Sequence, residues 1–278
     1  MKDTLTIEER EDIEIDLLLQ AIYSVSGFDF RKYMRSSIKR RVENRMRLDH
    51  VRRISGLIEM VLYEKGYVEK LLKDFSINVT EMFRDPDFFK ALRLNIVPLL
   101  RNLPEIRIWH AGCSTGEEAF SMAIILKEEG LYDKARIYAT DMNEDVLLHA
   151  EKGILPLNRM QSYTKNYLHA GGNQEFSEYY TTDYQYAYLD PSLLKNIEFF
   201  QHNLVTDGSF NEFHIIMCRN VMIYFTSELQ TYVNQLFYDS LCKDGFLAVG
   251  SKETLHTSSF SEDYEDFDPK ERIYRKLK

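Results

Sequence analysis

Long apolar runs are missing from this sequence. No stretch approaches the ~20 consecutive apolar residues that span a bilayer, and the opening MKDTLTIEERED is acidic, without the apolar core of a secretory signal. Cysteine is scarce: Cys113, Cys218 and Cys242 are widely spaced, with no CxxC pair. That excludes a disulfide framework and a zinc-ribbon signature, and no metal is expected. Few, unpaired cysteines suit a reducing, cytoplasmic setting, where each serves as a small buried hydrophobe. Internal repeats and low-complexity segments are also absent.

What is present is ordinary globular material: 278 residues, 44% hydrophobic and 28% charged, enough for one large domain or two small ones. The net charge of −9 is unevenly spread. Residues 31–53 hold ten Lys/Arg against Glu43 and Asp49, a local charge of +8. A basic island on an acidic chain points to a partner carrying negative charge.

Residues 8–75 read as helices. Ile13, Leu17, Leu18, Ala21, Ile22 and Val25 recur at helical spacing, and Gly27 is a stop. A second helix is expected over 30–48, with Met34, Ile38, Val42 and Met46 as its buried stripe and Arg41 and Arg45 along one flank. Two more are expected over 54–63 and 68–75. A polar linker, SINVTEMFR (76–84), leads to Asp85-Pro86, which opens a helix reaching about residue 101.

From residue 106 the pattern alternates. Strands are expected over 106–110, 136–140, 197–202, 214–218, 245–250 and 272–277, and helices over 117–128, 144–151 and 227–241. This order predicts an α/β fold with a doubly wound, mostly parallel sheet. Residues 160–196 interrupt it. They are rich in tyrosine and carry a Gly171-Gly172 turn, which suggests a small antiparallel β insertion. The expected domains are therefore a helical one over 1–75, a linker over 76–90 that contributes to the active site, and an α/β domain over 91–278 with its insertion at about 160–196.

The first strand runs into AGCSTGEE. Gly112 and Gly116 permit a sharp turn and close approach to a ligand, and the following helix aims unpaired N–H groups at it. This is not GxGxxG, and Glu117 and Glu118 would repel a pyrophosphate. They suit a ligand with a sulfonium and an amino group, so S-adenosylmethionine is favoured over a dinucleotide. Asp141 ends the second strand, where such folds place the acid that binds ribose hydroxyls.

SINVTEMFR, AGCSTGEE, ATDMNEDVL, HNL and CRNVMIYF, in that order and spacing, resemble the chemotaxis receptor methyltransferases of CheR type. The resemblance covers nearly the whole chain. It implies a Rossmann-like class I S-adenosylmethionine methyltransferase fold behind an all-α domain. The implied activity is methyl transfer to glutamate side chains of chemoreceptor cytoplasmic helices, serving sensory adaptation and leaving S-adenosyl-L-homocysteine. It also implies cofactor contacts from Asn78, Thr80, Arg84, Gly112 and Glu118, with Asp141 on the ribose, Asn203 and Leu204 bordering the adenine, and Arg219 and Asn220 nearby. Arg84 and Tyr224 match the positions that act on the substrate carboxylate. The basic second helix matches the surface that docks the acidic receptor bundle, with Arg41, Arg45 and Arg47 as the chosen contacts. A cytoplasmic monomer that neither enters the membrane nor binds nucleic acid is the expectation.

Two other readings compete. A nucleic-acid methyltransferase would use the basic island on phosphates, but the chain has no Asp/Asn-Pro-Pro-aromatic motif and no broad basic footprint. A non-catalytic module that binds S-adenosylmethionine would not need Arg84 and Tyr224.

Overall fold

The computed structural model describes residues 5–76, 78–255 and 261–278. The chain divides into a helical unit, Met1–Ile77 with Tyr224–Gln230, and an α/β unit, Asn78–Ile223 with Thr231–Lys278.

The helical unit contains α1 (Ile7–Ser26), α2 (Arg35–Leu48), α3 (Ile54–Tyr63) and α4 (Tyr67–Phe75). A capping box starts α1: the Thr6 hydroxyl accepts from the Glu9 N–H and the Glu9 carboxylate accepts from the Thr6 N–H. Gly27 ends it at φ +78°, its N–H returned to the Tyr23 carbonyl. The core is built from Ile15, Leu18, Leu19, Ile22, Ile38, Val42, Leu57, Val61, Leu71 and Phe75.

Two expectations fail here. The buried face of α1 is rotated, so that Ile13, Leu17 and Val25 are each about half exposed. Helical spacing admits either stripe. Burial of Ile15, Leu18, Leu19 and Ile22 against the other helices selects the observed one, leaving Asp12 and Asp16 at the surface to meet Arg35. The second helix starts at Arg35 rather than residue 30. Residues 30–34 instead use their backbone on residues 224–226: Met34 N–H to the Tyr224 carbonyl (2.7 Å) and Thr226 N–H to the Lys32 carbonyl (3.0 Å). Met34 is therefore exposed and does not join the buried stripe.

In the α/β unit, α5 (Pro86–Ala91) runs on as a π turn (Leu92–Ile96) and a 3₁₀ turn (Val97–Leu100). The single helix expected to residue 101 is interrupted because Pro98 has no N–H to give the ladder. The sheet strands and their helices then follow: β1 (Ile106–Ala111), α6 (Glu117–Glu128), β2 (Ala135–Asp141) and α7 (Glu144–Ala150). The insertion is β3 (Ile154–Pro156), α8 (Met160–His169), β4 (Tyr180–Thr182), β5 (Tyr186–Leu189) and α9 (Pro191–Leu194). β6 (Ile197–Gln201), β7 (Phe213–Cys218), α10 (Ser227–Ser240), β8 (Leu241–Val249), β9 (Tyr264–Asp268) and β10 (Ile273–Lys276) complete it.

Seven strands form one sheet in the order β6-β2-β1-β7-β8-β10-β9. β6, β2, β1, β7 and β8 are parallel, and β10 is antiparallel to both its neighbours. The mostly parallel, doubly wound sheet is as the alternation predicted. Strand order reverses between β1 and β7, which makes the carboxyl ends of those strands the crevice where such folds bind ligands.

The insertion is a three-stranded antiparallel sheet, β3-β5-β4, that begins at residue 154. Its hairpin turn is at Asp183, whose carboxylate accepts the Gln185 and Tyr186 N–H groups. The expected Gly171-Gly172 hairpin is not there. Gly171 (φ +85°) and Gly172 close α8, and a Cβ on Gly172 would lie 2.2 Å from the Tyr167 ring. Tyr163 and Tyr167 are four residues apart on the buried face of α8, so their spacing is helical rather than alternating.

Candidate active site

The turn after β1 is drawn against β2. The N–H groups of Gly112 and Cys113 both donate to the Thr140 carbonyl at 2.8 Å. Gly112 (φ +79°) also has no room for a side chain: a Cβ would lie 2.5 Å from Val221 Cγ2. Ser114 follows at φ +53°, its N–H donating to Asp141 Oδ2 at 3.0 Å. Asp141 Oδ1 takes the Asn143 N–H at 3.0 Å. Burial pushes the Asp141 carboxyl up, against the pull of these N–H donors. Each oxygen still has acceptor capacity for a hydroxyl.

The two acids that open α6 are treated differently. Glu117 is buried and takes the Thr115 hydroxyl at 2.6 Å, and burial raises its pKa. Glu118 is clasped on both oxygens, by His110 Nδ1 at 2.9 Å and an Arg219 NH group at 3.1 Å. Burial alone would raise Glu118, but the His110 bond and the Arg219 charge outweigh it and hold the carboxyl below its usual range.

Arg219, at the end of β7, is 8% exposed. Its fork also reaches Asp85 Oδ2 (2.7 Å) and the Arg84 carbonyl (3.3 Å), and its guanidinium lies 3.9 Å from the Phe88 ring centre. One side chain thus fastens the linker to the acid on α6. Arg84 itself is partly buried, and among the described residues its side chain bonds only the Val79 carbonyl, at 3.1 Å. Asn78 and Thr80 are partly buried in the same linker.

β6 delivers Asn203 and Leu204 beside Asp141, because the His202 N–H donates to the Asp141 carbonyl (3.2 Å). Both residues are buried, and the Asn203 carboxamide oxygen takes the Val205 N–H at 3.0 Å. Asn220 sits at φ +62° with its N–H on Glu253. The α/β unit therefore gathers Arg84, Gly112, Glu118, Asp141, Asn203, Leu204, Arg219 and Asn220 around the carboxyl ends of β1, β2, β6 and β7.

Tyr224 groups with the helical unit instead. The Arg41 guanidinium lies 5.2 Å from its ring centre. Here the docking expectation needs correction. Arg41 is 6% exposed, and its fork donates to the Phe75 carbonyl. Arg45 is tied to Asp74 (2.9 Å) and Asp49 (3.3 Å). Of the three chosen arginines only Arg47 is exposed. Much of the basic island is matched by acids of its own unit: Arg35 by Asp12 and Asp16, Lys39 by Glu11, Arg31 by Asp29 and Lys32 by Glu228.

The sequence marks neither His110 nor Glu253, and it marks Asp85 only as the start of a helix. His110 could have been noticed as a polar residue inside an apolar strand next to the glycine turn. Nothing local marks Glu253, which acts on a loop 30 residues away.

The fit to S-adenosylmethionine can be judged on this chain alone. Ser114 Oγ is buried on the turn with no hydrogen-bond partner among the described residues. Asp141 beside it keeps free acceptor sites, and Glu118 is held anionic. These groups suit a ligand with hydroxyls and positive charge.

The comparisons with known proteins agree. Residues 78–268 match the CheR methyltransferase S-adenosylmethionine-binding domain, and residues 13–76 match the CheR methyltransferase all-alpha domain. The chain is 47% identical to the putative methyltransferase Cher3 of Pseudomonas putida, over 98% of this chain and 100% of that one. It is 29% identical to a chemotaxis protein methyltransferase of Borreliella burgdorferi, over 91% and 92% of the two chains. A solved S-adenosylmethionine-dependent methyltransferase from Geobacter sulfurreducens, in complex with S-adenosyl-L-homocysteine, aligns at 13% identity with a TM-score of 0.33. It covers 59% of this chain and 47% of that one, too distant to bear on the argument. The chain belongs to the CheR methyltransferase family, with S-adenosylmethionine as its cofactor.

Proposed function

We propose that this methyltransferase esterifies glutamate side chains in the cytoplasmic helices of chemoreceptors, as part of sensory adaptation. One observation carries the reading furthest. The Arg84 guanidinium meets no carboxylate among the described residues, while its own main chain is pinned to Glu118 through Arg219. An unneutralised guanidinium on a linker whose main chain Arg219 holds suits an incoming carboxylate.

S-adenosylmethionine supplies a methyl group activated by a sulfonium. The protein's own share follows from the chemistry of the acceptor. A glutamate is already ionised at pH 7, so no strong base is required. The reaction discharges carboxylate and sulfonium together, so fixed charges on the carboxylate would favour reactants over the transition state. What remains is orientation. Arg84 holds the carboxylate in one pose through its rigid fork, and the Tyr224 hydroxyl aims the nucleophilic oxygen. Asp141 holds the ribose, Asn203 and Leu204 border the adenine, and Asn78, Thr80, Gly112 and Asn220 complete the cofactor's surroundings. Arg219 acts through Glu118 and the linker. Exposed arginines of the helical unit, Arg40 and Arg47 on α2, meet the acidic receptor bundle. The chain works in the cytoplasm; among the described residues no helix is long and apolar enough to cross a membrane.

The test is to incubate the full chain with methyl-labelled S-adenosylmethionine and cytoplasmic receptor fragments. Label released as methanol by mild base identifies a carboxyl methyl ester. Label that survives base contradicts the reading.

A further inference from the structure

After β8 the chain turns through Gly250 and reaches Glu253, which is 5% exposed. One carboxylate there gathers at least four backbone donors. Oε2 accepts from Asn220 (2.9 Å) and Gly250 (2.5 Å), and Oε1 from Val221 (3.0 Å) and Ile223 (3.1 Å). Three of the four lie in the loop that leaves β7, where Asn220 takes a left-handed conformation and the chain makes no ladder. Without the carboxylate those N–H groups lose their partner.

Gly250 makes the clasp possible. A Cβ there would lie 2.6 Å from Glu253 Oε2 and 2.8 Å from the Asn220 nitrogen. The glycine is needed for close approach, not for its φ. The clasped loop in turn bears on the cofactor turn at two points. Val221 fills the space that a side chain on Gly112 would occupy, and Arg219 holds Glu118.

We propose that Glu253 is a positioning residue for the cofactor site. It touches neither cofactor nor substrate. It sets where Val221 and Arg219 meet the glycine turn, and so fixes the pose of Glu118 and of the turn itself. The inference rests on S-adenosylmethionine as cofactor and is independent of the glutamate substrate.

Glu253→Gln is close to isosteric but replaces one acceptor oxygen with an NH₂ that would face N–H donors, so half the clasp fails. Gly250→Ala keeps the carboxylate and displaces it. The measurement is calorimetric titration of each full-length protein with S-adenosyl-L-homocysteine, well below the unfolding temperature of the variant. Both variants are expected to bind about tenfold or more weakly than the unaltered protein while remaining folded by circular dichroism. A purely structural role would lower the melting temperature and leave the dissociation constant within twofold, and that result overturns the proposal. Failure of the unaltered protein to bind would instead count against the cofactor.

Discussion

Removing Arg219 tests the central claim about the site, that one buried guanidinium ties the linker to α6. Arg219→Met keeps most of the volume and deletes the charge. The Arg219 side chain is 2% exposed and that of Glu118 17%, so their pair is little screened by water. Breaking such a pair leaves an uncompensated buried carboxylate and costs about 3–5 kcal/mol. The Asp85 arm adds little, because Asp85 is 47% exposed. At roughly 2–4 °C per kcal/mol for a domain of this size, melting should fall by roughly 6 to 20 °C. His110 remains as the second partner of Glu118, which argues for the lower half of that range. The double variant Arg219→Met/Glu118→Gln removes both charges, and should recover about 1 kcal/mol or more of what the two single variants lose in sum. There is also a pH signature. Glu118 is held below its unfolded pKa, so its stabilisation is complete above the unfolded value and is lost as pH falls through the folded one. In Arg219→Met the folded value rises, so less stability should be lost on acidification than in the unaltered protein. Thermal unfolding without cofactor, followed by circular dichroism from pH 4 to 8, measures all three effects. A loss under about 1 kcal/mol for the single variant, or strict additivity in the double, refutes the clasp.

Three further outcomes follow from the same geometry. Glu117 is raised by burial, so it costs stability once pH passes from its unfolded value through its folded one; Glu117→Gln should match or exceed the unaltered protein in melting temperature near pH 7.5 and lose that advantage near pH 4. If Arg84 and Tyr224 orient the carboxylate, Arg84→Lys and Tyr224→Phe should lower turnover at saturating cofactor, by up to about a hundredfold, and near-normal rates would sink that assignment. Reversing charge at the exposed pair, Arg40→Glu/Arg47→Glu, should raise KM for a receptor fragment about tenfold with kcat unchanged, whereas an unchanged KM removes α2 from the docking surface.

The sheet was legible because its signals are local. Apolar runs of about five to seven residues, each bounded by a turn and, β6 excepted, followed by a helical period, place β1, β2, β6 and β7 to within a residue or two. The glycine turn was legible for the same reason: Gly112 and Gly116 sit at positive φ, a requirement carried by the residues themselves. The helical unit was harder. Spacing alone cannot choose between two faces of α1, and the choice is made by packing against other helices of the unit. Residues 30–34 look helical in isolation and lose the helix to backbone partners some 190 positions away.

The basic island shows the same limit applied to charge. A count of +8 describes a sequence, whereas a docking surface requires that the charge be both exposed and unpaid by neighbours. Arg41 fails the first condition and Arg45 the second, and both failures come from carbonyls and carboxylates on α4 or at its end. The adjacent acids Glu117 and Glu118 repeat the lesson at the active site. Identical side chains one position apart acquire opposite pKa shifts, because burial pushes both up and a step along α6 brings only Glu118 to His110 and Arg219, which outweigh it. Their functions therefore depend on groups that β1 and β7 deliver, and Glu253 holds the loop that follows β7. A site of this kind is read from its contacts, and the residue that orders those contacts need not lie in any motif that announces the site.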